Sequence, residues 1–200
     1  FLLVIFAEHM EEHNNITSPY NDMQTIKRRF FAMRNGIIAD VLRRGGSPFR
    51  IIFGLNLPQI VEIAAENEAS ADLARRLWAN TTTRESMLAA PMIYPREEFD
   101  EATARSWCAE IPSAEVADVL CHRLLRHRPF AQDLADELLH SGSDMARYTG
   151  LRLYFNLVGT NPQKALEAAR AEAARQCPLT ARVAAALADE AEFILESSGD

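Results

Sequence analysis

Apolar residues recur at helical spacing over most of this chain. In SAEVADVLCHRLLRH (113–127), Val116, Val119, Leu120 and Leu124 fall at i, i+3, i+4 and i+8, a single stripe on one helix face. Strand patterning is nearly absent. No run of alternating β-branched and aromatic residues lies between hairpin turns, and the nearest candidate, FRIIFGL (49–55), sits between a glycine pair and a proline. The helix punctuation is regular. Gly45-Gly46-Ser47-Pro48 closes a helical stretch over 21–44 that Asn35-Gly36 is placed to break, and Pro58 opens the next helix at its first turn. Ser70, Pro95, Pro112-Ser113, Pro129, Ser141-Gly142-Ser143, Asn161-Pro162 and Pro178 follow, each suited to a helix boundary. Ser143-Asp144 predicts a good N-cap for SDMARYTGLRLYFNLV.

This punctuation yields roughly nine or ten helices joined by short turns, an all-α chain whose helices stack in pairs. Pairs over about 58–91, 97–127, 131–158 and 162–197 give a period near 35–45 residues, that of a HEAT-like helical repeat solenoid, an α-α superhelix. A globular helix bundle is the competing arrangement. Residues 23–200 read as a single HEAT-like helical repeat domain, and residues 1–22 as an N-terminal segment without assignment.

Composition narrows the class. A chain of 200 residues, 48% hydrophobic and 24% charged, buries one substantial core. Cys108, Cys121 and Cys177 are an odd number without CxxC spacing, which suggests neither a disulfide framework nor a zinc knuckle and fits a reducing cytoplasm. The apolar opening FLLVIFA is far shorter than the roughly 20 residues of a membrane helix and lacks the basic leader of a signal peptide, so a soluble cytoplasmic protein is expected. The net charge of −7 argues against a dedicated polyanion binder, yet its distribution is uneven. Lys27, Arg28, Arg29, Arg34, Arg43, Arg44 and Arg50 crowd residues 27–50 against the single acid Asp40, while acids dominate after residue 186. Only Lys27 and Lys164 among the 21 positive residues are lysine; arginine binds phosphate bidentately, although genome composition produces the same skew.

Candidate chemistry is sparse. The histidines form no HExxH motif, and there is no GxGxxG, GxxxxGK[ST] or GxSxG, so neither a metal nor a cofactor is expected. LARRLWANTTTRES (73–86) sets Trp78 among Arg75, Arg76 and Arg84, as a base-stacking or phosphate site requires; Trp78 anchoring two helices beside solvated arginines explains it equally. Arg147 and Arg152 are about 140° apart around a helix, so at most one lines a given groove. Glu115 and Asp118 share a face. Two such carboxylates can divide acid and base roles or stabilise a developing positive charge, and a solvated helix edge accounts for them as simply.

The order LW…TRES…AA…I (77–93), SW…EVADVL (106–120) and RYTGLRL (147–153) resembles the DNA alkylation repair family of HEAT-like alkylpurine DNA glycosylases, over roughly residues 58–190. The resemblance implies a concave helical surface that holds duplex DNA carrying a methylated purine. It also implies an aspartate in a WWDTVD-like segment that stabilises positive charge growing on the sugar as the N-glycosidic bond breaks. That aspartate falls on Asp118, and the family's cleft arginine on Arg147. The aromatic before the aspartate falls on Ala114, and the later cleft tryptophan near Leu187, both departures; Tyr148 is the candidate compensating aromatic. Two expectations follow. One is a monomeric DNA-binding repair protein with Asp118 catalytic and Arg147, Tyr148 and Arg84 on the DNA. The other is a non-catalytic scaffold of the same fold that binds a protein partner or undamaged DNA.

Overall fold

A computed structural model describes residues 22–197 of the chain. The expectation for residues 1–21 lies outside the described residues. Eleven α-helices follow in order: α1 (Asp22–Ala32), α2 (Gly36–Arg44), α3 (Leu57–Ala65), α4 (Ala71–Trp78), α5 (Arg84–Ile93), α6 (Glu101–Ala109), α7 (Ala114–Arg123), α8 (Ala131–Leu139), α9 (Asp144–Leu157), α10 (Pro162–Ala173) and α11 (Ala181–Ser197).

The helix starts are set by side chains that take up otherwise unpaired first-turn amides. Asn35 Oδ1 accepts from the amides of Ile37 and Ile38, so the predicted break at Asn35-Gly36 divides α1 from α2. Asn56 and Gln59 close a reciprocal capping box around Pro58. Ser70, Ser113, Ser143 and Asn161 cap α4, α7, α9 and α10 in the same way.

Helices α3, α5, α7, α9 and α11 pack one against the next in a row, and α4, α8 and α10 each pair with the helix that follows them. This is the helical-repeat solenoid, with two details that differ from the sequence pattern. Pairs begin at Ala71, Glu101, Ala131 and Pro162, a period near 30 residues rather than 35–45. The stretch 58–91 holds three helices, because Asn80–Thr83 makes a turn without glycine or proline to announce it. FRIIFGL forms no strand: it is an extended loop whose single parallel bridge joins Ile51 to Thr83.

Helix α5 is buried at every position except Met92. Even its first two residues, Arg84 at 5% exposure and Glu85 at 0%, lie inside the protein. Below it, Trp78 of α4 stacks on Trp107 of α6 with ring centroids 4.1 Å apart and planes 2° from parallel. Tyr94 and Phe99 meet Trp107 edge-on. The Trp78 indole N–H donates to Glu110 Oε2 at 2.9 Å. Trp78 is therefore the anchor between two helices and not an exposed stacking surface, and each such aromatic pair adds about 0.5–1.5 kcal/mol beyond its buried area. Gly150 lets α9 approach α8 closely, since a Cβ there would lie 3.0 Å from the Ala135 carbonyl oxygen.

Candidate nucleic-acid interface

The exposed stripe of α7 carries Glu115, Asp118 and His122, spaced by one turn each, because Val116, Val119 and Leu120 hold the opposite face in the core. The neighbouring α9 presents Tyr148, Arg152 and Asn156 at i, i+4 and i+8. The two stripes meet side chain to side chain. Tyr148 donates its hydroxyl to Asp118 Oδ1 at 3.0 Å, and Arg152 Nε lies 2.8 Å from the same oxygen. The Arg152 Nε–H is not aligned on that oxygen, so the contact is charge pairing rather than a directed hydrogen bond. The Arg152 guanidinium also sits over the Phe155 ring at 5.2 Å, and His122 Nδ1 lies 3.4 Å from Asn156 Oδ1.

Burial raises the Asp118 carboxyl above the ordinary aspartate range, and this outweighs the opposing pull of Arg152 and Tyr148. Burial, with the Asp118 charge beside it, pushes the Tyr148 hydroxyl up, so Tyr148 stays protonated and acts as a donor. The result is a half-buried carboxylate with one phenol donor, one cation and an aromatic ring around it.

From His122 the surface continues into a run of cations. His122 lies in the field of Arg126, Arg123 and Arg152, and His127 in that of Arg96, Arg126 and His122. Arg126 Nε donates to His127 Nε2 at 3.2 Å, and Arg128 reaches the Arg96 carbonyl at 2.8 Å. None of Arg96, Arg123, Arg126 and Arg128 has an ion-pair partner among the described residues. Both histidines are held below their usual value, first by burial and then by these cations.

The two arginines singled out in the sequence lie elsewhere. Arg84 donates through Nε to Glu115 Oε2 at 2.8 Å, through Nη1 to the Leu55 carbonyl and to Glu85 Oε1, each at 2.9 Å, and through Nη2 to Glu115 Oε1. Glu85 in turn accepts the backbone N–H groups of Phe53, Gly54 and Leu55. Arg147, at 6% exposure, donates to Glu172, to the carbonyls of Ser141 and Gly142, and to Asp144. Both guanidiniums are buried and engaged with carboxylates and carbonyls of the protein, so neither stands out on the surface as a phosphate contact. Glu115, committed to Arg84, does not form an acid–base pair with Asp118.

Tyr148 does reach Asp118, and the arginine there is Arg152, on the side of α9 away from Arg147. Its position four residues after Tyr148 is the signal that finds it. Leu187 is fully buried on α11 and cannot wall a cleft, and Ala114, one turn before Asp118, brings no ring. Tyr148 and Phe155 are the aromatic side chains on α9 at this site. Among the described residues no group of histidine, cysteine and carboxylate side chains could hold a metal ion, and no helix is long and apolar enough to cross a membrane.

Fold and surface together define a helical-repeat protein with a carboxylate set beside a cationic ridge. The chain belongs to the DNA alkylation repair enzyme family, whose model matches residues 26–198. It is similar in structure to a solved member of a family of proteins related to the HEAT-like repeat DNA glycosylases with affinity for branched DNA structures. That superposition has a TM-score of 0.73 and covers 88% of this chain and 83% of the other, at 19% identity, which shows the shared fold. Comparison with curated proteins gives no match.

Proposed function

We propose that this chain binds DNA across the α7–α9 surface, with the ridge of Arg96, Arg123, Arg126 and Arg128 on the phosphates and Asp118, Tyr148 and Arg152 facing the bases. The observation that carries this reading is a set of four arginines around His122 and His127, next to the Asp118 cluster, that have no ion-pair partner among the described residues. A polyanion is the partner that repays such unpaired charge, through counterion release. Branched DNA, for which the structurally similar family has affinity, is the DNA form this reading favours. Arg84 and Arg147 support the surface from beneath in this scheme, by holding α7 and α9 to their neighbours.

The test is fluorescence anisotropy with a labelled duplex over a range of salt. The expected slope of log affinity against log salt is about −3 to −4, near −0.9 for each neutralised phosphate. Arg123→Glu with Arg126→Glu flattens it by about two. A flat dependence in the wild type refutes the reading and points instead to a protein partner for the same scaffold.

Excision of an alkylated purine is the second reading, favoured by the position of Asp118 in the family pattern. A methylated purine leaves as a cation-derived base, so the protein need supply little more than negative charge near the sugar, and a half-buried carboxylate supplies it. Two features oppose efficient excision. Arg152 already offsets the Asp118 charge, and Ala114 and Leu187 forgo aromatic contacts worth about 1–3 kcal/mol each. Release of free base from duplex containing 7-methylguanine, abolished by Asp118→Asn, supports excision. No release at high protein concentration removes excision and leaves DNA binding standing.

A further inference from the structure

The basic segment near the start of the chain plays no part in the α7–α9 surface. Along α1, Lys27 and Phe31 follow at i and i+4 on one stripe, because Ile26 and Phe30 take the core side, and Arg34 lies two residues past the helix end. Phe31 is 55% exposed, and the Arg34 guanidinium lies 3.9 Å from its ring centroid. Arg34 is held there by its own donation to the Phe31 carbonyl at 2.8 Å. Beside this pair is an open cleft of about 530 Å³, walled by Phe31, Arg34, Arg43, Ile52 and Phe53. Arg43 is fixed across it by Asp40 and by the Ile52 carbonyl. Lys27, Arg44 and Arg50 have no ion-pair partner among the described residues.

We propose that this α1–α2 corner is a second nucleic-acid site, which receives an unpaired DNA strand at a branch, with the Phe31–Arg34 pair as its stacking platform. A half-exposed phenyl under a planar guanidinium presents flat surfaces to a nucleobase, and stacking of this kind tolerates any base. The surrounding cations meet the phosphates of the same strand. Position supports a branch rather than a continuation of one duplex contact. Helix α1, which carries Phe31, packs against α3 and α4, whereas Arg123 closes α7 and Arg126 and Arg128 follow it, so platform and ridge are separate surfaces. One arm on each site is the arrangement that engages both.

This inference rests on the DNA-binding reading above, and one binding assay separates the two. Anisotropy is measured for the full chain with a linear duplex, with the same duplex carrying a single-stranded arm, and with phosphatidylserine vesicles. The expected result is tighter binding to the armed DNA than to the duplex. Phe31→Ala should lower affinity for the armed DNA about tenfold, leave duplex affinity unchanged and leave the melting temperature within a degree or two, whereas Phe31→Trp should retain the preference. Arg34→Glu should erase it. A ratio of armed to linear affinity that Phe31→Ala does not change overturns the second site while leaving the first intact. Vesicle binding that Phe31→Ala abolishes, with that ratio unchanged, also overturns it and assigns the corner to an anionic membrane surface. Absence of binding to either DNA overturns both proposals.

Discussion

Replacement of Arg84 by alanine separates a buried structural arginine from a DNA contact. The side chain donates to Glu115, Glu85 and the Leu55 carbonyl and is 5% exposed. Its removal leaves Glu85, which is wholly buried, with a negative charge opposed only by the backbone amides of Phe53, Gly54 and Leu55. Breaking a buried pair from one side costs about 3–5 kcal/mol. The three amides keep part of the Glu85 charge solvated, and Glu115 can turn to water, so the lower figure of about 3 kcal/mol applies. For a chain of this size each kcal/mol moves the melting temperature by about 2–4 °C, which gives a fall of about 6–12 °C by calorimetry or circular dichroism. The folded variant should keep the wild-type salt slope of DNA binding. A loss below about 1 kcal/mol together with a slope reduced by about one phosphate would refute this account and make Arg84 a DNA ligand.

Three further outcomes follow from the geometry. Gly54 has φ +79°, and a Cβ there would lie 2.1 Å from the Asn35 carbonyl oxygen and 2.7 Å from the Ala39 nitrogen; Gly54→Ala should therefore lower the urea midpoint by at least about 2 kcal/mol equivalent, and an unchanged midpoint refutes the strain. His122 and His127 are held below 6.5, so they are neutral at pH 7 and gain charge as pH falls. Their share of stability is present above that unfolded-state value and is lost on acidification, while duplex affinity should rise over the same window; the double variant His122→Gln with His127→Gln should flatten the affinity profile. Asp118 binds its proton more tightly folded than unfolded, so its ionised form costs stability above its folded-state value. Asp118→Asn should melt at or above the wild-type temperature at pH 7, and a loss of more than about 1 kcal/mol contradicts that.

Helix boundaries were legible wherever a local cap or breaker marks them. Asn35, Ser113 and Ser143 act on amides within three residues and Pro58 acts through its own fixed φ, so their chemistry is complete in the sequence. The turn Asn80–Thr83 was not, because its threonines carry no turn signal and its geometry is set by the pairing of Thr82 and Arg84 with Ile51. The family resemblance pointed to Asp118 and to Tyr148, and the structure brings these two side chains into contact; Arg152, four residues after Tyr148, joins them and was within reach of helical spacing. The fate of Arg84 and Arg147 was hidden, since Glu115 and Glu172 lie 31 and 25 residues away and local pattern does not report which carboxylate an arginine will meet. Trp78 likewise shows in sequence only that it sits among arginines; Trp107, 29 positions on in the chain, decides that it is core.

In a linear repeat array each unit leans only on its neighbours, and the ends open first. The 51–56 loop changes that at the beginning of this chain. Ile51 pairs with Thr82 and Arg84, and Glu85 takes the amides of Phe53, Gly54 and Leu55, so the segment joining α2 to α3 is threaded into the polar centre beneath α5. Detaching α1–α3 would strip Glu85 of those amides and Arg84 of a carbonyl, deep inside the protein. Opening of the first helices and loosening of α5 are thereby one event, and amide hydrogen exchange should find them with a common opening free energy.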